Sequence, residues 1–189
     1  MTTRPIIELS DSEFKLAKEK ASELVKFFRP KIEATGKSGS HIQDTKERLE
    51  RLADDQITGQ VAQLAGTLYL TGTDHVYRMQ RWVSMLHPHL GDGGYDIPGL
   101  QLDFKGSRLK GGRKPHDYKM LVRPQERKPE WCYALAVVDI SSDKAKAYMM
   151  GWFSDEEIKC KPQSSGLFAG AHVISTEQLH PLPTLNWVL

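Results

Sequence analysis

The chain has 189 residues, 39% of them hydrophobic and 26% charged, with a formal net charge of +2. That length and balance suit one globular domain with a sizeable buried core, and so mild a charge does not by itself mark a nucleic-acid binder. No apolar run approaches the roughly 20 residues of a membrane helix, and the first residues carry no signal-peptide pattern. The spacing of Cys132 and Cys160 excludes a metal or disulfide framework, which leaves free thiols in a reducing cytoplasm as the expectation.

Residues 11–34 read as an amphipathic helix. Ser10 or Asp11 caps it, Glu13 adds a favourable first-turn charge, and Phe14, Ala17, Ala21, Leu24, Val25 and Phe28 recur at helical spacing. Pro30 sets the expected end near residue 29, because the residue before a proline is pushed out of the α region. Residues 36–40 are a loop by composition and lack the P-loop spacing. A second helix is expected over about residues 44–69. Leu49, Leu52, Ile57, Val61, Leu64, Ala65 and Leu68 mark its buried face, and Gly59 is a point of interruption. Gln60 and Gln63 lie one turn apart on it. The two helices are expected to pair as an N-terminal hairpin.

Residues 74–86 mix helix and strand signals. Their aromatic and basic side chains (Tyr77, Arg78, Arg81, Trp82) suit nucleic acid, although Trp82 and Val83 fit a core better. His87 and His89 lack a third soft ligand, which argues against a transition-metal site. Further on, residues 117–122 read as a strand, and the apolar run 131–140 reads as a central strand buried on both faces. Residues 144–151 are its expected hairpin partner. Ser154 and Glu157 have capping-box spacing for a short helix, residues 171–174 suit one more strand, and 176–179 suit a helical turn. The tail after it is irregular, with Trp187 packed on the body.

The densest chemistry lies between Gly91 and Lys105. Asp96 stands seven positions ahead of the triplet Asp103, Phe104, Lys105, with Ile97, Leu100, Leu102 and Phe104 alternating about Pro98 and Gly99. Period-two alternation about a Pro-Gly turn predicts a β-hairpin or a kinked pair of strands. Asp103 and Lys105, two apart, then share a strand face. If the turn sets Asp96 opposite them, two carboxylates and an ammonium converge on a spot able to hold a hard divalent cation and a scissile phosphate. Lys105, Arg108, Lys110, Arg113, Lys114 and Lys119 fall within fifteen residues, a basic loop that begins at this spot.

Through Asp96, Asp103 and Lys105, the chain resembles the PD-(D/E)xK nucleases, also called restriction-endonuclease-like proteins, over about residues 60–158. The resemblance implies an α/β (α+β) fold, a central mixed β-sheet flanked by helices. Residues 1–40 would be a helical segment packed on a nuclease core of residues 41–189. Asp96, Asp103 and the backbone carbonyl of Phe104 would bind Mg²⁺ or Mn²⁺, and Lys105 would orient or deprotonate the attacking water or steady the phosphorane. Many relatives carry an acid on the preceding helix. Here Gln63, with Gln60 second, takes that place, and its neutral amide can accept a hydrogen bond but adds no charge. Ser107, Arg108, Lys110, Arg113 and Lys114 would contact the nucleic acid, with DNA the expected substrate and a homodimer the form suited to cutting both strands. The competing reading is a binding or protein-interaction module on the same fold with catalysis lost.

Overall fold

The computed structural model describes residues 4–35, 45–79, 96–97, 100–161, 163, 165 and 170–183. Strand β1 (Ile6–Glu8) leads into helix α1 (Asp11–Thr35), and helix α2 (Thr45–Thr71) follows. Strands β2 (Leu102–Arg108), β3 (Lys119–Val122), β4 (Cys132–Ile140) and β5 (Ala145–Ser154) come next, then the short helix α3 (Asp155–Lys159) and strand β6 (His172–Ser175). Two single 3₁₀ turns, Pro115–Asp117 and Pro124–Glu126, flank β3.

The main sheet has four strands in the order β1-β5-β4-β2, and β3 pairs with β6 in a separate two-stranded sheet. β2 runs parallel to β4, whereas β4 with β5 and β5 with β1 are antiparallel, so the sheet is mixed. The apolar run expected in the centre does lie there, hydrogen-bonded on both edges. Its alternation sorts side chains by size. Ala134, Ala136 and Val138 belong to the core under α2, while Tyr133, Leu135 and Val137 belong to the core under β3, β6 and α3. Small residues on one face let a helix approach closely, and bulky ones fill the wider gap to the second sheet. One face is therefore covered by helices and the other by the small sheet with α3.

Two expected breaks do not occur. α1 continues through Pro30, which is exposed and sits inside the helix. The lost backbone bond and ring clash fall on the water side, where solvent can satisfy the freed carbonyl. α2 is likewise continuous through Gly59, since packing of its apolar stripe outweighs the weak propensity of one glycine. Residues 75–79 are helical, and residues 80–95 lie outside the described part. Ser154 caps α3 as its spacing implied, accepting from the Glu157 N–H at 3.3 Å.

α2 is laid flat on β2 by two glycines. A Cβ built on Gly66 would overlap the Phe104 ring, and one on Gly106 would stand 2.9 Å from the Thr58 carbonyl oxygen and 3.1 Å from the Ala62 Cβ. Helix and strand thus meet at backbone distance, which fixes the level at which Asp103 and Lys105 emerge on the other side.

Candidate active site

β2 presents two unlike faces. Leu102 and Phe104 are buried toward α2. Asp103, Lys105 and Ser107 alternate to the opposite side, where they line a groove of about 270 Å³ with Leu121, Arg123 and Glu126. The shared face expected for Asp103 and Lys105 is realised, and the Lys105 Nζ lies 2.9 Å from an Asp103 carboxylate oxygen.

Asp96 arrives from the chain just before β2. Ile97 and Leu102 form an antiparallel bridge, the Asp96 N–H donates to the Leu102 carbonyl at 2.9 Å, and Pro98 and Gly99 lie outside the described residues. The Asp96 side chain turns back on the same strand and accepts from the Phe104 N–H at 2.6 Å. Along a strand, the N–H and C=O of one residue point to the same edge. The Phe104 carbonyl therefore points to the same edge of β2 as Asp96, while Gln101 and Leu109 bond to β4 on the other.

Burial pushes the Asp96 carboxyl up to about 8, and the Asp103 carboxylate adds to the rise. The Phe104 N–H, Lys20 and Lys105 pull the other way. Two carboxylates thus disfavour each other's charge at a point flanked by a backbone carbonyl, a set that a divalent cation would relieve. Mg²⁺ keeps several waters and takes only one or two protein carboxylates, so this donor set fits it. Among the described residues, no group of three or more His, Cys, Asp or Glu is gathered for a metal.

Gln63 and Gln60, read from sequence as polar candidates, are both buried. Gln63 is on α2, behind β2 as seen from the groove, and its amide oxygen accepts from the Lys20 Nζ at 3.1 Å. Lys20 itself is buried on α1, 4.4 Å from the Tyr77 ring centroid, and its charge favours the ionised form of Asp96. Gln63 thus holds the lysine whose charge acts on Asp96. Gln60 accepts from the Tyr77 hydroxyl at 2.9 Å and belongs to the packing of that ring.

The basic loop divides. Ser107 faces the groove. Arg108 alternates away from it, donating to the Ile140 carbonyl at 2.8 Å and lying 3.5 Å from Asp54, and Lys110 pairs with Asp54 at 2.7 Å. Both side chains thus tie β2 to α2. Arg113 covers the Tyr118 ring and donates to the Asp117 carbonyl at 2.7 Å, and Lys114, exposed, has its N–H bonded to the Asp117 carboxylate.

Sequence reasoning missed Lys20 and Glu126, and saw Arg123 only as a continuation of the basic run. All three come from elements remote from β2 in the chain. Lys20 reads as an ordinary polar residue of a helix, although a lysine on the apolar side of α1 is a weak signal. Glu126 stands among Arg123, Arg127 and Lys128, where alternating charge looks like a solvated loop.

No protein-family model, curated protein or solved structure matches this chain. Among the described residues, no helix is long and apolar enough to cross a membrane.

Proposed function

We propose that the chain is a metal-dependent nuclease of the PD-(D/E)xK type, with a restriction-endonuclease-like core and an N-terminal helical hairpin, hydrolysing phosphodiester bonds in DNA. The observation that carries this reading is the meeting of Asp96, Asp103 and Lys105 at one edge of β2, with the buried Asp96 carboxyl held at about 8 beside the second carboxylate. A surface ion pair has no such buried second acid. Both carboxylates and the outward carbonyl of Phe104 would hold Mg²⁺ or Mn²⁺.

Held by Asp96, Asp103 and the Phe104 carbonyl, a divalent cation would supply Lewis-acid polarisation of a phosphoryl oxygen and would make water more acidic. The chain's own groups do the rest. Lys105 directs its ammonium into the groove, where it stabilises charge developing on the phosphorane or orients the water that attacks phosphorus. Water adds to phosphorus, the bond to the sugar oxygen breaks, and that oxygen leaves with a proton. Ser107, on the same face as Lys105, is placed to donate to a phosphate oxygen. Lys20 opposes the charge of Asp96 from inside the protein, and Gln63 holds Lys20.

The test is incubation of labelled plasmid, linear duplex, single-stranded DNA and RNA with Mg²⁺ or Mn²⁺. Asp103→Ala and Lys105→Ala should each lower cutting by roughly a hundredfold or more, and EDTA should abolish it. Binding without cutting by the wild type, unaffected by EDTA or by Asp103→Ala, would transfer the chain to the class of nucleic-acid-binding modules.

A further inference from the structure

Glu126 enters the groove from the 3₁₀ turn Pro124–Glu126, opposite β2, and its carboxylate lies 3.4 Å from the Lys105 Nζ. The lysine ammonium thus stands between Asp103 at 2.9 Å and Glu126 at 3.4 Å. The turn that carries Glu126 is fixed on several sides. The Tyr133 hydroxyl, from the central strand, donates to the Glu126 carbonyl at 3.2 Å and accepts from the Lys128 N–H at 2.8 Å. Arg127 makes a two-pronged pair with the buried Asp155 at 2.8 and 3.0 Å. Glu126 closes its own turn by accepting from the Arg123 N–H at 3.2 Å, and the Arg123 guanidinium lies 3.5 Å from its second oxygen.

We infer that Glu126 is a positioning residue of the nuclease reaction, holding the Lys105 ammonium over the groove when Asp103 turns its charge to a divalent cation. The inference rests on the nuclease reading above. A carboxylate that serves a divalent cation loses much of its attraction for an ammonium, and an amine on a four-carbon stem with one weakened partner samples many rotamers. Glu126, which belongs to neither β2 nor the Asp96 hairpin, keeps the amine in place. Its backbone, held by Tyr133, gives that second anchor a fixed position, as a productive site requires.

Glu126→Gln keeps an oxygen able to accept from the Arg123 N–H, so the turn survives while the charge facing Lys105 is removed. The variant should melt at the wild-type temperature and bind DNA with wild-type affinity. Its kcat should fall on the order of a hundredfold, the scale of a misplaced reacting group, with KM unchanged, and Glu126→Asp should recover part of the loss. A second readout needs neither metal nor substrate. The Lys105 ammonium resonance, assigned by its disappearance in Lys105→Arg, should exchange with water faster in Glu126→Gln than in the wild type. Cutting by Glu126→Gln at the wild-type rate overturns the inference and leaves the nuclease reading intact. A wild type that cuts nothing overturns the nuclease reading, and with it the catalytic role given to Glu126. An unchanged ammonium exchange rate overturns the anchoring contact in either case.

Discussion

A carboxyl group withdrawn from water beside a second carboxylate holds its proton well above the ordinary range, and Asp96 is pushed from 3.8 to about 8 by burial first and Asp103 second. Unfolded, the group ionises near its ordinary value. Between the two values the unfolded chain has lost the proton while the folded chain keeps it. The contribution of Asp96 to stability is therefore fully present below about pH 3.8, is lost as the pH rises toward about 8, and changes no further beyond. Asp96→Asn keeps an oxygen for the Phe104 N–H and cannot ionise. In EDTA at pH 8 and above it should raise the melting temperature over wild type, with the gain shrinking as the pH is lowered toward 4. Divalent cation should stabilise the wild type at pH 8, by about 2.7 kcal/mol at a hundredfold excess over Kd, and should do much less for the variant. Calorimetry across pH, with and without Mg²⁺, measures both. Equal melting temperatures for wild type and Asp96→Asn at pH 8 in EDTA would mean that Asp96 is ionised at little expense and that the two carboxylates are not in each other's field.

At the scale of elements, the closeness of α2 and β2 sets where the groove side chains emerge. A methyl group added at Gly59 would meet nothing within 4 Å outside its own helix, so Gly59→Ala should stabilise the protein by about 0.5–1 kcal/mol through helix propensity. Gly106→Ala should destabilise by about 1–3 kcal/mol, because its methyl meets the backbone of α2, which cannot swing aside. It should also reduce cutting beyond what its stability loss explains, since Lys105 is the neighbouring residue. Urea titrations of the two variants test the pair, and equal effects would disprove the contact. The same elements explain what the sequence could convey. Alternation made the shared face of Asp103 and Lys105 legible, and the unbroken apolar run of β4 identified a strand buried on both faces. Capping chemistry located α3, because that rule is local. The bond from Asp96 to the Phe104 N–H depends on hairpin register, which alternation suggests without fixing. The covering of one face by β3 and β6, the pairing of Lys20 with Gln63 and the approach of Glu126 to Lys105 join distant segments, and no local period records them. Helix α1 continued through Pro30 because the proline sits on the exposed side, where water satisfies the carbonyl it frees.

For the molecule as a whole, one strand belongs to both cores. β4 sends Ala134, Ala136 and Val138 into the layer under α2, and Tyr133, Leu135 and Val137 into the layer under the second sheet. Neither layer can lose its packing without stripping one face of the central strand. The C-terminal segment adds a strap across the far side: His180 exchanges two backbone bonds of 3.0 Å with Trp152, and its ring reaches Glu157 at 2.7 Å. Partial burial opposes ionisation of Glu157, but hydrogen bonds from His180 and Ser154 prevail and hold it at about 2, so Glu157 stays an ionised acceptor for the strap across the neutral range. The chain should therefore unfold as a single cooperative unit. Native-state hydrogen exchange measures this directly: the slowest amides of α2, β4 and the β3–β6 pair should share one opening free energy and one denaturant slope. A lower free energy for β3 and β6 alone would make the second sheet a separately opening flap. Glu126 follows β3 directly in the chain, so such a flap would carry one wall of the groove away from Lys105 while Asp96 and Asp103 stayed in place. A common free energy means that both walls of the groove persist as long as the protein is folded, which is the condition for two anchors to hold one ammonium.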